Sequence, residues 1–186
     1  MASLVRSIGW QTPLQSGNGE TALVVAARNG DREAFGILYA RYSRMVHGIA
    51  LAHSVRRDVD DVVQDVFVTA LDRLASLRDP GAFGPWLTSI ARNRALDHHR
   101  ARRETVELSN ELPAPTSEGG SGALVLAAIR TLPDTYRETL ILRLVEGMTG
   151  PEIAVRTGLT PDSVRVNLHR GTKLLREKLK GSTADA

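Results

Sequence analysis

The chain has 186 residues, no cysteine and a formal net charge of +3 at neutral pH. The absence of cysteine excludes a disulfide scaffold, a cysteine zinc site and a thiol nucleophile. No long apolar run predicts a signal peptide or a membrane span, so we expect a cytoplasmic protein with no membrane insertion.

The basic side chains are concentrated in two blocks. Residues 31–103 and residues 131–180 each carry more basic than acidic side chains, whereas the opposite holds for residues 104–130. Ordinary solvated helix faces explain the totals but not this separation. The distribution therefore favours two contacts with nucleic acid.

The first half of the chain has the apolar spacing of helices. Residues 1–19 have no periodic pattern and are predicted to be a mobile tail. Four predicted helices follow, at about residues 20–29, 31–53, 57–77 and 85–103. Their apolar stripes include Tyr39 and Leu71, which we therefore expect to be buried. Because no run alternates like a strand, residues 20–103 are predicted to form an all-α domain.

A stretch without periodicity separates this domain from a second one. Residues 104–121 contain prolines, serines and glycines and are predicted to be a flexible linker. Residues 122–180 are predicted to be a second helical domain, followed by a tail at residues 181–186. The helices expected in this domain are at about residues 122–131, 134–146, 150–157 and 161–179. The predicted fold is thus all-α, with two small helical domains joined by a flexible linker.

The last two predicted helices have the pattern of a helix-turn-helix. Pro151 suits the first turn of a helix, Gly158 suits a left-handed C-terminal cap, and Thr160 suits an N-cap. In this motif the second helix is presented to the DNA major groove. A structural helical hairpin with a solvated basic face is the alternative. The basic residues of the second helix favour DNA binding.

The second helix of the motif has a predicted buried face and a predicted DNA face. The apolar residues at helical spacing are Val164, Leu168, Leu175 and Leu179. The side chains expected to lie away from that face are Arg165, Asn167, His169, Arg170 and Lys173. Because the N-terminal part of such a helix meets base edges, Arg165 and Asn167 are predicted to read bases. The other three are predicted to contact phosphates.

Four sequence blocks precede or include the start of the helix-turn-helix: DREAFGILYARY, DDVVQDVFVTAL, PWLTSIARNRALDHHR and LPDTYRETLILRLVEGMTGPEIA. Together with the helix-turn-helix, their order and spacing over about residues 21–180 resemble the extracytoplasmic-function (ECF) sigma factors of bacterial RNA polymerase. The resemblance implies that the first domain is region 2, which binds the polymerase clamp and melts the −10 promoter element. It implies that the second domain is region 4, which binds the polymerase flap and reads the −35 element.

The resemblance also implies which residues carry each role. The residues expected to bind core polymerase are Asp61, Gln64, Asp65 and Phe67. Those expected to bind the −10 element are Trp86, Arg92, Asn93, Arg94, Asp97 and Arg100. Those expected to bind the −35 element are Ser163, Arg165, Val166, Asn167, His169, Arg170 and Lys173. The partners implied are core RNA polymerase, promoter DNA and an anti-sigma factor, and neither catalysis nor a cofactor is expected.

Simpler interpretations exist for some of these residues. The acidic side chains near Asp61 are also consistent with a solvated helix face, and Trp86 is either a core residue or a platform for a separated base. His98 and His99 point about 100° apart on a helix, so no metal site is predicted. A free-standing helix-turn-helix regulator with a helical sensor domain is the rival function. The Asp-rich third helix and the basic fourth helix disfavour that rival, because a sensor needs neither.

Overall fold

The computed structural model describes residues 18–109 and 121–184, with side chains described in residues 19–101 and 122–180. We call the two described segments the first half and the second half. Both consist of helices, and neither contains a β-strand, which confirms the all-α prediction. Most of the predicted N-terminal tail and the centre of the predicted linker lie outside the described residues.

Within the described residues there are eight α-helices, close to those predicted. They are α1 (Asn18–Arg28), α2 (Arg32–His53), α3 (Val59–Arg73), α4 (Phe83–Ser109), α5 (Ser121–Arg130), α6 (Asp134–Leu144), α7 (Gly150–Thr157) and α8 (Pro161–Ala184). Short 3-10 turns at Arg56–Asp58 and Leu74–Ser76 take the place of the predicted ends of α3. Helices α4 and α8 continue beyond their predicted ends, because no proline or left-handed glycine stops them there.

Local capping signals account for where several helices begin. The Asp31 carboxylate accepts hydrogen bonds from the backbone N–H groups of Glu33 and Ala34, at 2.9 and 3.0 Å, and so starts α2. Asp79 accepts from the N–H of Gly81 at 2.8 Å in the turn before α4. These bonds satisfy donors that would otherwise lack partners at a helix start.

The first half is organised around α2, which packs against α1, α3 and α4. Its core side chains include Leu38, Met45 and Ile49, which have no exposed surface. Phe83 at the start of α4 is also fully buried, and its ring lies 5.1 Å from that of Tyr42. The helices of this half therefore share one apolar centre that fixes the outward-facing sides of α3 and α4.

The second half packs directly on the first. Helix α6 contacts both α8 and α2, and α7 contacts α4. The buried apolar residues of both halves form a single cluster. Residues 138–142 of α6 are all buried, so this helix is covered on every side. We call the contact between the two halves the junction.

Close backbone approaches mark the junction. A Cβ atom on Gly48 of α2 would lie 2.7 Å from the Leu142 side chain of α6. A Cβ atom on Gly84 would lie 2.5 Å from the backbone oxygen of Arg156 at the end of α7. Each glycine therefore lets a helix of one half approach the other more closely than a larger residue would.

Candidate nucleic-acid and polymerase interfaces

Helices α7 and α8 form a helix-turn-helix with two capped starts. At α7 the Thr149 hydroxyl and backbone exchange hydrogen bonds with Glu152 in a capping box. The hydrogen bond from the Thr149 backbone, helped by the Thr149 hydroxyl, lowers the pKa of the Glu152 carboxyl. Gly158 ends α7 with φ at 75°, the left-handed conformation. At α8 the Thr160 hydroxyl accepts from the N–H of Ser163 at 3.1 Å, which fixes the entry of the second helix.

The outer face of α8 carries most of the residues predicted to bind the −35 element. The exposed members of that set are Arg165, Val166, His169, Arg170 and Lys173. Arg165 lies 3.1 Å from the Asp162 carboxylate, but its side chain remains 79% exposed. The Ser163 hydroxyl is half-buried and accepts a hydrogen bond from Thr160 at 2.8 Å. The five exposed side chains therefore form one mainly basic surface, in which Val166 is the apolar member.

Asn167 does not lie on that surface, contrary to the prediction that it points away from the buried face. Its residue exposure is 7%, and it shares the inward side of α8 with Val164 and Gly171. A Cβ atom on Gly171 would lie 3.1 Å from both Tyr136 and Leu140 of α6, so the two helices approach closely here. The spacing of three and then four residues from Val164 to Gly171 is the helical signal that places Asn167 inward.

A polar cavity between α3 and α4 collects four of the six residues predicted to bind the −10 element. The cavity has a volume of about 290 Å³, and Asn93, Arg94, Asp97 and Arg100 line it. Arg94 donates to the Thr69 hydroxyl at 3.0 Å, and Arg100 lies 3.6 Å from Asp97. The sequence prediction missed Thr69 and Arg73, which line the cavity from α3. Their spacing of four residues on one helix is the signal that could have identified them.

The other two residues of that set lie elsewhere. Trp86 is half-buried, and its ring lies 5.8 Å from that of Phe83, so it packs on the core while keeping part of its surface exposed. Arg92 crosses the junction and binds Glu138 of α6 through two guanidinium nitrogens, at 2.6 and 2.8 Å. This ion pair raises the pKa of Arg92, against the opposing effect of burial.

Helix α3 presents the residues predicted to bind polymerase beside an apolar groove. Asp61 and Gln64 are exposed, and the Asp65 carboxylate lies 2.6 Å from Nε2 of His98. Phe67 is only 5% exposed, and its ring centre lies 4.4 Å from that of Tyr39. Phe67 therefore forms the floor of the site rather than an exposed contact.

The groove beside this acidic face runs between α2 and α3 and has a volume of about 830 Å³. Its apolar lining includes Tyr39, Val68 and Leu71, which are 45%, 53% and 51% exposed. The prediction that Tyr39 and Leu71 are buried was therefore wrong. Both helices have wider apolar stripes than their partners in the first half can cover. Helical periodicity therefore predicted burial for apolar residues that the structure leaves exposed in the groove.

Three of the described histidines, His47, His53 and His98, contact acidic side chains rather than one another. His47 lies 2.6 Å from Glu146, and His53 lies 2.7 Å from Glu138. Among the described side chains, in residues 19–101 and 122–180, no group of three or more His, Asp or Glu has an arrangement that could hold a metal ion. In the same part of the chain no helix is both long and apolar enough to cross a bilayer.

The capped helix-turn-helix with a basic outer face lies in the second half and is joined to a first half that has its own basic helix, α4. This combination defines a DNA-binding transcription protein. Residues 38–105 match the family description Sigma-70 region 2, and residues 123–175 match Sigma-70, region 4. The chain belongs to the ECF group of RNA polymerase sigma factors and acts in the initiation of transcription. Sigma factors are initiation factors rather than enzymes.

Curated relatives cover almost the whole chain. It is 32% identical over 183 residues to RNA polymerase sigma factor NccH of Alcaligenes xylosoxydans xylosoxydans, covering 88% of this chain and 96% of NccH. It is 34% identical over 163 residues to RNA polymerase sigma factor CarQ of Myxococcus xanthus, covering 82% of this chain and 92% of CarQ.

A solved structure of CnrH in complex with the cytosolic domain of CnrY has a similar fold. It is 28% identical to this chain with a TM-score of 0.60, and the match covers 88% of this chain and 99% of CnrH. RNA polymerase sigma factor CnrH of Cupriavidus metallidurans is also similar to this chain in sequence.

Proposed function

We propose that the outer face of α8 reads the −35 element and that the α3–α4 surface binds the −10 element. The observation that supports this most strongly is the basic outer face of α8 on a helix-turn-helix with both helix starts capped. Arg165, near the start of α8, is the principal base reader, because the N-terminal part of this helix meets base edges. Lys173, two turns further on, anchors a phosphate.

Asn167 has a different proposed role from the one its position on α8 first suggests. Asn167 is 7% exposed, so its side chain offers little surface to a base. We therefore assign it to the packing of the inward side of α8, with Val166 and His169 beside the bases instead. This assignment keeps the polar recognition surface on the side of the helix that solvent reaches.

At the −10 element, we propose that the cavity between α3 and α4 receives part of a separated strand. Arg94 and Arg100 supply positive charge for phosphates, and Asn93 supplies both a donor and an acceptor for a base edge. Trp86 is partly exposed, so its free ring edge is available to stack on an unpaired base. Melting is favoured because these contacts form with the open strand.

For polymerase docking, the acidic face of α3 and the adjacent groove are the proposed surface. Asp61 and Gln64 supply polar contacts to a basic partner, and the exposed rings and branched side chains around Tyr39 and Leu71 supply apolar area. Such a combination of an apolar centre and a charged edge is typical of protein interfaces. Binding to bacterial core polymerase also supports the proposed location in the cytoplasm.

An anti-sigma factor is the proposed regulator of this chain. The support is the similar fold of CnrH, which was solved in complex with the cytosolic domain of CnrY. The partly exposed groove between α2 and α3 offers apolar surface to such a partner as well as to polymerase. A partner that covers it would exclude polymerase by competition.

The direct test is run-off transcription from a library of random promoters with purified chain and core RNA polymerase. We expect selected promoters with defined −35 and −10 sequences, and no selection by polymerase alone. Tight promoter-specific binding by the free chain in a gel shift, with no transcription when polymerase is added, would instead identify a free-standing regulator.

A further inference from the structure

The junction contains a buried carboxylate whose two side-chain partners both belong to the other half. Glu138 lies on α6, and its side chain is 8% exposed. Nε2 of His53, at the end of α2, lies 2.7 Å from one carboxylate oxygen. Arg92 of α4 donates to both carboxylate oxygens, at distances from 2.6 to 3.0 Å. One side chain of the second half therefore joins two helices of the first.

A buried carboxylate is stable only when it is paired, and Glu138 depends on the first half for that pairing. Burial alone favours the neutral carboxyl, but hydrogen bonds from His53 and Arg92 outweigh this effect and lower the pKa of Glu138. The packing of α6 against α8 does not require a charge at this position, since apolar side chains such as Leu140 fill that contact. The Glu138 carboxylate therefore stabilises the contact between the two halves rather than the packing of α6 against α8.

Further polar contacts lie on either side of Glu138 along the junction. Arg130 donates to the backbone oxygens of Leu51 and Ser54 at the C-terminal end of α2, at 3.1 and 2.9 Å. A guanidinium at this end of a helix satisfies free carbonyls and complements the helix dipole. Arg156 of α7 donates to the backbone oxygen of Arg41, and its guanidinium carbon lies 5.3 Å from the centre of the Tyr42 ring.

The dimensions of a promoter require these contacts to open. Elements centred near −35 and −10 are separated by about 85 Å of B-form DNA, at about 3.4 Å per base pair. A compact chain of this length has a radius of gyration of about 16 Å, so it cannot reach both elements at once. Arg92, which the sequence resemblance predicts to bind the −10 element, is also held by Glu138 while the halves remain in contact.

We propose that Glu138, bound by His53 and Arg92, is an intramolecular latch that keeps the free chain closed and unable to engage both promoter elements. The latch rests on the proposed function, because only a two-element contact makes the closed form inactive. Core polymerase opens it by binding the two halves at separate places. A polar latch suits this task, because the separated carboxylate and guanidinium regain hydration when the junction opens.

The first test measures the distance between the halves in the free chain. The chain has no cysteine, so fluorophores can be attached at Arg78→Cys and Glu177→Cys, both at exposed positions. In this background we expect Glu138→Gln to raise the open-to-closed ratio by about 10- to 100-fold, the loss expected for hydrogen bonds to charged groups. Glu33→Gln, which removes an exposed carboxylate from α2, should leave the ratio unchanged.

The second test locks the closed form, and it stays informative if Glu138→Gln does not fold. Arg41→Cys and Arg156→Cys replace two residues that meet across the junction, where the Arg156 side chain donates to the backbone oxygen of Arg41, and neither residue lines the proposed docking groove. A short, cleavable bis-maleimide should join them and abolish run-off transcription with core polymerase, and cleavage of the reagent should restore it. The matched control is Arg41→Cys alone, modified with a monofunctional maleimide, which should remain active.

The outcomes separate the latch from the function on which it rests. Equal distances in Glu138→Gln and Glu33→Gln, or full transcription by the locked chain, would overturn the latch. If the unlinked chain with polymerase does not transcribe at all, the proposed function fails. The distance measurement then still decides whether Glu138 holds the halves together.

Discussion

At the scale of single residues, His47 and Glu138, which both form contacts across the junction, make its stability depend on pH in opposite directions. The hydrogen bond with Glu146 raises the pKa of His47, although burial opposes it. A raised histidine pKa means that the contact stabilises the fold below the unfolded value of about 6.5 and that this stability is lost as pH rises through the folded value. The pKa of Glu138 is lowered instead, so its contribution is lost only as pH falls below about 4.5.

His47→Gln should therefore destabilise the chain at pH 6 but have little effect at pH 9. The His47 side chain is 42% exposed, so solvent screening limits the expected loss to less than about 1 kcal/mol. Urea unfolding at the two pH values measures it, with His169→Gln on the exposed face of α8 as the control. An equal loss at both pH values would show that His47 contributes packing rather than charge.

Two exposed residues of α8 should give different effects on a library of −35 sequences. Arg165→Ala should re-rank the library, because losing a base contact removes about 1–3 kcal/mol of discrimination. Lys173→Ala should lower output evenly and reduce the salt slope of binding by about one unit. Transcription of the library with core polymerase measures both effects. Re-ranking by Lys173→Ala alone would mean that α8 lies in the groove in another register.

At the scale of single elements, caps and exposed faces decide what each helix contributes. Helix α7 has only eight residues, so its start is a large part of its stability. Helix α3 has a different task. It buries Val62 and Val66 on one side and leaves Asp61 and Gln64 exposed on the other. Helix α7 is thus sensitive to changes at its N-terminal end, and helix α3 to changes on its outer face.

Thr149→Ala should lower the free energy of unfolding by about 1 kcal/mol, because it removes the side-chain half of the capping box. Thr149→Ser keeps the hydroxyl and should recover most of the loss. Urea midpoints of the three proteins provide the measurement. A loss that serine does not recover would point to the threonine methyl group rather than to the cap.

Asp61→Arg should weaken association with core polymerase without loss of helix content, because it reverses a charge on the exposed face of α3. Asp61 is a cleaner target than Asp65, whose carboxylate lies 2.6 Å from His98. Pull-down of core enzyme, together with circular dichroism, measures the effect. Glu33→Arg on α2 is the charge-matched control, and unchanged pull-down by Asp61→Arg would contradict the docking assignment.

At the scale of the whole molecule, the helices were predictable from sequence but their assembly was not. Asp31, Thr160 and Gly158 gave correct helix ends because caps act through neighbouring residues only. The junction has no such local signal. Residues 138–142 of α6 are buried on all sides, so no one-sided apolar stripe identifies a partner helix.

The candidate site likewise has features that the sequence predicts and features that depend on tertiary contacts. The exposed basic residues of α8 follow from helical spacing, whereas the inward position of Asn167 depends on the close approach of α6 at Gly171. The exposure of Tyr39 and Leu71 was likewise unpredictable, because a stripe does not show how much of itself a neighbour covers. Tertiary contacts decided each of these cases.

The shared core predicts that the two halves of the free chain unfold together. Leu142 of α6 is 1% exposed and lies next to Gly48 of α2. Leu142→Ala should therefore leave a cavity that borders both halves. The expected loss is about 2–5 kcal/mol, the range for truncating a buried leucine. Because one apolar cluster serves both halves, amide protons in α2 and α6 should lose protection from hydrogen exchange by the same amount. Val66→Ala, in the core that α3 shares with α2 and α4, should also lower the protection of α6. Loss confined to one half in either variant would mean that the halves unfold independently.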